Sequence, residues 1–323
     1  MGRAIALLPA ICIIVLGGMA LPVQAAIPEG PQITVLTEGF DTKSRRAIVT
    51  MGPKGETPQA MIEGVGWSQP SWSADGSLLA FGSYGEWDGE VVAVAETDGP
   101  GIRFFRHARL VGEHPVMAPD GQTVAYSYKS SVWLLNVISG SVRRAAPRAL
   151  RETDFEPSSF SPDGSALAGT LGWLGSEAVA VDLRTGRVSV LAREASEPVY
   201  SPDGSEVAFI RWNNWRRNGI DDGSPPIDEL RVTRIGTLPR SRLLLRSHKL
   251  LVRPSWDPSG ERIAFTRTRV YENGYDDPLQ GDALMAINAD GTCLKRVYTD
   301  RETTVYGATW RPGPGREAGP ISC

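Results

Sequence analysis

Motifs that carry chemistry are absent from this sequence of 323 residues, in which cysteine and histidine occur only three times each. No CxxC or HExxH pair offers the spacing of a redox or metal site, and no glycine loop of the P-loop form offers a phosphate site. The Gly-x-Ser-x-Gly turn that presents the nucleophile of many hydrolases is missing as well. The sequence therefore predicts a protein that is not an enzyme.

An excess of charge of either sign is also lacking. The formal net charge is −3, and no run of Lys and Arg is present that would track the phosphates of a polynucleotide. With 41% hydrophobic and 22% charged residues the composition is that of an ordinary globular protein, which excludes a disordered or collagen-like chain. Nucleic acid is thereby excluded as the expected partner.

The N-terminus has the pattern of a secretory signal peptide. A short positive start that includes Arg3 precedes an uncharged apolar run from Ala4 to Leu21, and small residues lead to Ala25. A retained membrane anchor is the alternative, because the run approaches the length that spans a bilayer. The Gly17-Gly18 pair and Pro22 favour cleavage. Residues 1–25 are predicted to be a signal peptide, which places the protein in a secreted or periplasmic location with no membrane span after cleavage.

Removal of the signal peptide leaves two cysteines, Cys293 and Cys323, the second being the last residue. In an oxidising compartment such a pair favours a disulfide, which would fix the C-terminal tail to the preceding structure. Two free thiols and a cysteine-ligated metal are the alternatives.

What the sequence does contain is one pattern in six copies: a large residue, a turn of the Ser-Pro-Asp-Gly kind and a short apolar segment. The large residues are Trp72, Met117, Phe160, Tyr200, Trp256 and Trp310. The intervals between them are 45, 43, 40, 56 and 54 residues. Periods of about 40–45 residues with strand character are typical of propeller blades.

The fourth copy shows the physical basis of the pattern. In Ser201-Pro202-Asp203-Gly204, proline fixes its own φ, aspartate bonds nearby backbone, and glycine accepts a positive φ, so the chain reverses tightly. The alternating segment Val207-Ala208-Phe209 then predicts a second strand. Third-strand candidates such as Val179–Leu183 end in another tight turn. Four strands per copy make a propeller blade.

The six copies resemble the repeat of the TolB-like propellers, an aromatic residue followed by Ser-Pro-Asp-Gly and a short apolar strand. The resemblance implies an all-β, six-bladed β-propeller with four-stranded antiparallel blades over residues 26–315, followed by a tail at 316–323. The sixth copy ends soon after its first strand, so Ile33–Leu36 and Arg46–Met51 near the start are predicted to supply its missing strands. The resemblance further implies protein interaction at the cell envelope.

Long loops on one face of the propeller are the first predicted site. The fourth and fifth copies contain enlarged loops that share Asn-Gly-x-Asp-Asp, and the first copy has a shorter relative. Their aromatic and acidic residues suit a sugar or a peptide, and paired aspartates also suit Ca²⁺. The alternative is that these residues only form turns. The candidate ligand-binding residues are Trp87, Asp88, Trp212, Trp215, Asp221, Asp222, Tyr271, Tyr275, Asp276 and Asp277.

The second predicted site is a ring at the mouth of the central channel, on the long-loop face. The first strand of each blade lines the channel, and the residue before the proline of each copy begins that strand. These residues are Gln69, His114, Glu156, Glu197 and Arg253, with Gly307 near the equivalent place. A histidine with two glutamates resembles a metal site in kind, whereas an arginine opposes a cation.

The sequence thus predicts a secreted, non-catalytic propeller that binds a protein or a glycan through its long-loop face, with no cofactor. The alternative is a propeller enzyme that acts on a carbohydrate, of lyase or hydrolase type, at the channel mouth. After the propeller no residues remain for a hydrolase domain, and three histidines fit poorly with the histidine-rich metal centres of polysaccharide-degrading propellers. Oligomeric state has no signature in the sequence.

Overall fold

The computed structural model describes residues 32–38, 46–63, 65, 69–84, 90–96, 102–104, 113–145, 147–151, 154–172, 177–212, 227–236, 240–268, 283–299, 303–312 and 320–323. The predicted signal peptide, residues 1–25, lies outside them. Within these ranges no helix is long and apolar enough to cross a membrane.

The described residues form twenty-four strands in six sheets of four, and we number the blades from the first complete copy of the repeat. Blade 1 contains β4 (Ser71–Trp72), β5 (Leu78–Tyr84), β6 (Glu90–Glu96) and β7 (Ile102–Phe104). Blade 2 contains β8 (Glu113–Met117), β9 (Thr123–Ser127), β10 (Val132–Asn136) and β11 (Val142–Arg144). Blade 3 contains β12 (Phe155–Phe160), β13 (Ala166–Leu171), β14 (Glu177–Asp182) and β15 (Val188–Arg193).

The last three blades follow the same plan. Blade 4 contains β16 (Ala195–Tyr200), β17 (Glu206–Trp212), β18 (Asp228–Arg234) and β19 (Ser241–Ser247). Blade 5 contains β20 (Leu250–Trp256), β21 (Arg262–Thr268), β22 (Ala283–Asn288) and β23 (Lys295–Tyr298). Blade 6 contains β24 (Thr304–Arg311), β1 (Gln32–Glu38), β2 (Arg46–Met51) and β3 (Gln59–Glu63). The predicted all-β, six-bladed propeller with four-stranded antiparallel blades is confirmed.

Blade 6 closes the ring with both ends of the propeller. Its first strand, β24, pairs antiparallel with β1, and Trp310 lies opposite Ile33 in the register. β1 then pairs with β2, and β2 with β3, as in the other blades. The prediction that N-terminal strands complete the last blade is confirmed. Because the last strand pairs with the first, backbone hydrogen bonds join the two ends of the described propeller within one blade.

In the described part of the chain the hydrophobic core forms six clusters, and each cluster lies between two neighbouring blades. Phe81, Tyr126, Phe209 and Phe265 occupy the same position of the second strand in four blades, and each is fully buried. An aromatic ring removes more apolar surface from water than any aliphatic side chain, so these four positions contribute strongly to blade packing. The result is a ring of sheets around one central axis.

The turn between the first and second strands is held by a serine and an aspartate in blades 1, 3 and 4. In blade 4, Ser201 Oγ donates to Asp203 Oδ1 at 2.6 Å, and the same carboxylate oxygen accepts the Ser205 N–H at 3.0 Å. Gly204 has φ of +72°, and a Cβ there would lie 3.3 Å from Pro162 Cδ of the preceding blade. Both facts require glycine, because the left-handed region and the close approach each disfavour a side chain.

Blade 5 makes the same turn with the two residues exchanged. Asp257 stands where blades 1, 3 and 4 have serine, and Ser259 donates to Asp257 Oδ2 at 2.7 Å. Asp257 is fully buried, and its carboxylate also accepts the backbone N–H of Arg262 at 3.0 Å. The Arg262 side chain is buried too, 3.3 Å from the carboxylate, and its guanidinium lies 4.8 Å from the centre of the Trp310 ring in blade 6.

The last residues of the chain are attached to blade 5. Cys293 and Cys323 form a disulfide with a Cα–Cα distance of 5.1 Å. Beside it, Asn288 exchanges two hydrogen bonds with Ile321: the amide Nδ2 donates to the Ile321 carbonyl, and the Ile321 N–H donates to Asn288 Oδ1. The tail is therefore fixed to the turn that follows β22.

Candidate functional site

The blades enclose a central channel of about 520 Å³, lined by the first strand of each blade. All five polar residues predicted at the channel mouth line it: Gln69, His114, Glu156, Glu197 and Arg253. They come from five different blades, so only the closed ring brings them together. The structure therefore joins into one site residues that are up to 184 positions apart in the sequence.

Three of these residues have an unusual backbone conformation. His114, Glu197 and Arg253 have φ of 56°, 53° and 55°, in the left-handed region that residues other than glycine rarely adopt. In each case the pairing of the first and second strands shifts register at this point, which marks a β-bulge. Bulges re-aim side chains, and strain of this kind concentrates at functional sites. A left-handed residue at a β-bulge thus directs a polar side chain towards the channel in each of three blades.

Glu197 connects two neighbouring blades at the mouth. Its backbone N–H donates to Thr170 Oγ1 of blade 3 at 2.9 Å, and its carboxylate Oε2 accepts the backbone N–H of Arg253 in blade 5. The carboxylate is thus held in place by a neighbour in the ring. A fixed acceptor costs less conformational entropy when a ligand binds than a free side chain does.

The Arg253 side chain extends over Gly307 of blade 6, a residue without a side chain. A Cβ added to Gly307 would lie 2.5 Å from Arg253 Cδ and 3.4 Å from its Nη1, so the arginine occupies the space that glycine leaves open. At the channel mouth the Arg253 side chain therefore crosses the boundary between blades 5 and 6.

His114 is uncharged at neutral pH. Burial lowers the pKa of its imidazole, and the positive charge of Arg253 lowers it further, to about 4. A neutral imidazole both donates and accepts a hydrogen bond, whereas the protonated ring only donates. The mouth thus combines the neutral His114 ring with the side chains of Arg253, Glu156 and Glu197.

Gln69 and Glu156 complete the ring. The Gln69 amide Nε2 donates to the Ala308 carbonyl of blade 6. Glu156 has an exposed side chain at the start of β12. Glu156 is therefore the mouth residue most open to solvent in a ring whose other members are half-buried.

The opposite end of the channel is apolar. It is lined by the residues that follow the serine position of each turn: Ala74, Pro119, Pro162, Pro202, Pro258 and Pro312. Trp72, Trp256 and Trp310 line the wall in between. The same three tryptophans also pack between neighbouring blades.

Most of the predicted loop residues lie outside the described part of the chain: Trp87, Asp88, Trp215, Asp221, Asp222, Tyr271, Tyr275, Asp276 and Asp277. The prediction for Trp212 was wrong. Trp212 is the last residue of β17, pairs with Asp228 in the register, and has only 7% of its surface exposed. Its ring belongs to the body of the blade and offers no surface to a ligand.

Within the described ranges, no three His, Cys, Asp or Glu side chains cluster as they would around a metal ion. His114, Glu156 and Glu197 share the channel but do not converge on a common point in this way. The mouth is instead an arrangement of hydrogen-bond donors and acceptors of mixed charge. Such an arrangement suits the polar groups of a peptide or a sugar.

Comparison with solved structures places the chain among propellers. It superposes on TolB from Acinetobacter baumannii with a TM-score of 0.68 and 18% identity, over 87% of this chain and 66% of that one. A putative TolB from Agrobacterium tumefaciens superposes with a TM-score of 0.60 and 17% identity, over 88% of this chain and all of that one. A propeller from a nidogen/laminin complex superposes with a TM-score of 0.65 and 10% identity, again over 88% of this chain and all of that one. The resemblance to TolB-like propellers is confirmed at the level of the fold.

Sequence comparison is less informative. No family model matches the chain. A protein named as an uncharacterized peptidase, YuxL of Bacillus subtilis (strain 168), is 28% identical over 170 residues, half of this chain. The match spans 23% of the length of that relative.

Proposed function

We propose that this protein is a secreted, non-catalytic binding protein that captures a segment of a partner protein at the channel mouth, on the long-loop face. The observation that carries the proposal is the ring itself. Five blades each contribute one polar side chain to the mouth of a single channel, and three of those side chains are placed by left-handed residues. A backbone conformation that costs about 1–3 kcal/mol at each of three equivalent positions favours a role in binding.

A peptide segment fits the chemistry of this ring. Backbone amides need both acceptors and donors, and the mouth supplies the Glu197 carboxylate, the Arg253 guanidinium and the neutral His114 ring within one cavity. The apolar wall beyond them, with Trp256 and Trp310, offers room for an apolar side chain. The long loops that carry Trp215 and Tyr275 are proposed to extend the same surface.

The structural neighbours support the same function. One of them is the propeller of a nidogen/laminin complex, that is, a propeller of this fold with a protein partner. The N-terminal signal pattern supports a location in the cell envelope or outside the cell. The binding experiment below is designed to identify the partner.

The first experiment is capture of partners from envelope and culture fractions on the immobilised protein. We expect Arg253→Ala and Gly307→Ala to lose the partner, the first by removing the guanidinium and the second by displacing it with a Cβ. The matched control is Arg193→Ala, which removes an exposed arginine from the outer strand of blade 3 and is expected to bind normally. Affinity at the mouth should fall at least about tenfold in both channel variants, since loss of a buried charged contact costs about 2–5 kcal/mol.

Three results would contradict the proposal. Retention of the partner by both channel variants, with unchanged melting temperature, would place binding elsewhere. Loss of the captured material after glycosidase but not protease treatment would make the ligand a glycan. Release of new sugar ends from a polysaccharide by the wild type but not by His114→Ala would make the protein an enzyme.

A further inference from the structure

One part of the chain has a charge opposite to that of the rest. Residues 230–256 contain seven basic residues and no acidic one, whereas the remaining sequence has 27 basic against 37 acidic residues. Arg253 belongs to the channel mouth. The other six lie along the outer hairpin of blade 4, β18 and β19, and beside it: Arg231, Arg234, Arg240, Arg242, Arg246 and Lys249. They are spaced along strands, so they do not form a continuous run.

Nearby carboxylates neutralise this hairpin only in part. Glu229 accepts hydrogen bonds from Arg231 at 2.7 Å and from Arg246 at 2.6 Å. Glu206 lies 3.6 Å from both Arg234 and Arg242. Asp290 of blade 5 feels the charge of Arg242, which contributes to lowering its pKa after the hydrogen bonds from Thr292. Residues 228–247 contain five arginines against two acidic residues, Asp228 and Glu229, so the hairpin keeps an excess of positive charge.

The outermost strand of this hairpin is also the longest of the outer edge strands in the described propeller. β19 is the last strand of its sheet and has seven residues, whereas β3, β7, β11, β15 and β23 have between three and six. Leu243, in the middle of β19, exposes 41% of its surface, and Arg242 and Arg246 are exposed on the same strand. The outer side of an edge strand presents N–H and C=O groups that can pair with another strand.

We propose that the edge of β19 binds an acidic, extended peptide segment by strand addition. Main-chain hydrogen bonds would supply affinity, and the arginines would select carboxylates on the incoming strand. A second copy of this chain would bring the same cations to the edge, so like-charge repulsion disfavours self-pairing and leaves an acidic partner as the complementary one. This site lies on the outer rim of blade 4 and is separate from the channel mouth.

The test uses the purified chain and a fluorescent seven-residue peptide that alternates Glu and Val, the length of β19. We expect binding that weakens when salt is raised from about 50 to about 300 mM, because screening shortens the reach of surface charges. A peptide of the same sequence with every second amide N-methylated should fail to bind, because it cannot complete the ladder. Anisotropy titration gives Kd in each case.

The variant that breaks the site is Arg240→Glu with Leu243→Glu, two exposed positions whose change reverses the charge without removing core volume. Kd for the acidic peptide should rise at least about tenfold. The matched control is Arg187→Glu with Val188→Glu at the equivalent edge of blade 3, which should bind as the wild type does. Melting temperatures confirm that both variants fold.

Each contrary outcome has a distinct meaning. Equal binding of the methylated peptide would show attraction by charge alone and would overturn strand addition. Binding to phosphatidylglycerol vesicles but not to the peptide would make the surface a membrane contact. An unchanged Kd in the blade 4 variant, or an equal loss in the blade 3 control, would remove the site from β19.

Discussion

The turn of blade 5 and the turns of blades 1, 3 and 4 reach the same shape from exchanged residues. In blades 1, 3 and 4 the aspartate lies on the surface, where it accepts a serine hydroxyl and a backbone N–H. In blade 5 the aspartate, Asp257, is fully buried and paired with Arg262. The hydrogen bond between serine and aspartate survives the exchange, but the charge moves from solvent into the core.

The comparison shows that one turn geometry can hold an aspartate at the surface or in the core, and that the cost of removing its charge differs greatly between the two. A surface carboxylate can be protonated or replaced at modest cost because water solvates what remains. A buried carboxylate that neutralises a buried guanidinium cannot be removed in the same way, because the partner charge is left without compensation. Blade 5 also adjoins the closing strand β24 through the contact of Arg262 with Trp310.

The largest effect is expected from Asp257→Ala. Removal of the carboxylate leaves the Arg262 guanidinium buried beneath Trp310 without its counter-charge, and the free energy of unfolding should fall by about 4 kcal/mol. Urea titration followed by tryptophan fluorescence measures the change. The triple variant Asp257→Ser, Ser259→Asp and Arg262→Leu reproduces the residues of blade 1 and should recover most of the loss. A triple variant as unstable as Asp257→Ala would show that the two turns are not interchangeable.

A smaller loss of stability is expected from removal of the disulfide that links the tail to blade 5. Cys293→Ser with Cys323→Ser should lower the free energy of unfolding by about 3 kcal/mol, since the bond closes a loop of 30 residues in the unfolded chain. Thermal unfolding of the variant should match that of the wild type in reductant. Equal melting temperatures for the oxidised wild type and the variant would mean that the tail adds nothing to blade 5.

The smallest effect is expected from Asp163→Asn in blade 3. Hydrogen bonds, first from the Ser161 hydroxyl and then from the Ser165 N–H, lower the pKa of Asp163 to about 2. A lowered folded-state pKa stabilises the protein above the unfolded value near 3.8 and loses that contribution as pH falls towards 2. The variant should therefore be slightly less stable than the wild type at neutral pH, and the gap should close between pH 4 and pH 2. A difference in stability that stays constant between pH 4 and pH 2 would assign the effect to the serine hydrogen bonds rather than to the charge of Asp163.

The fold was predictable because the residues that form the turns recur along the repeat. Proline, aspartate and glycine at fixed offsets located the turns, and the truncated sixth copy indicated that Ile33 and its neighbours complete the ring. The channel-mouth residues were predictable for the same reason, since Glu197 and Arg253 precede the proline of their copies.

The remaining features depend on contacts between blades, which a single copy does not encode. The position of Arg253 over Gly307 requires knowledge of which blades meet. The left-handed backbone at His114 has only a weak residue signal, because histidine is enriched in that region yet adopts it at few of its positions. Trp212 was misplaced because the end of β17 is set by where β18 begins, at Asp228, and the intervening sequence gives no boundary.

The bond between Cys293 and Cys323 also changes what a protease can release from the molecule. Every peptide bond from residue 293 to residue 323 lies within the covalent loop that it closes, and β24 is part of that loop. A single cut there yields two polypeptides that stay joined through sulfur, so the strand that completes blade 6 remains tethered at the site it must reoccupy. Nicked and intact protein would migrate together on a gel until reductant separates them.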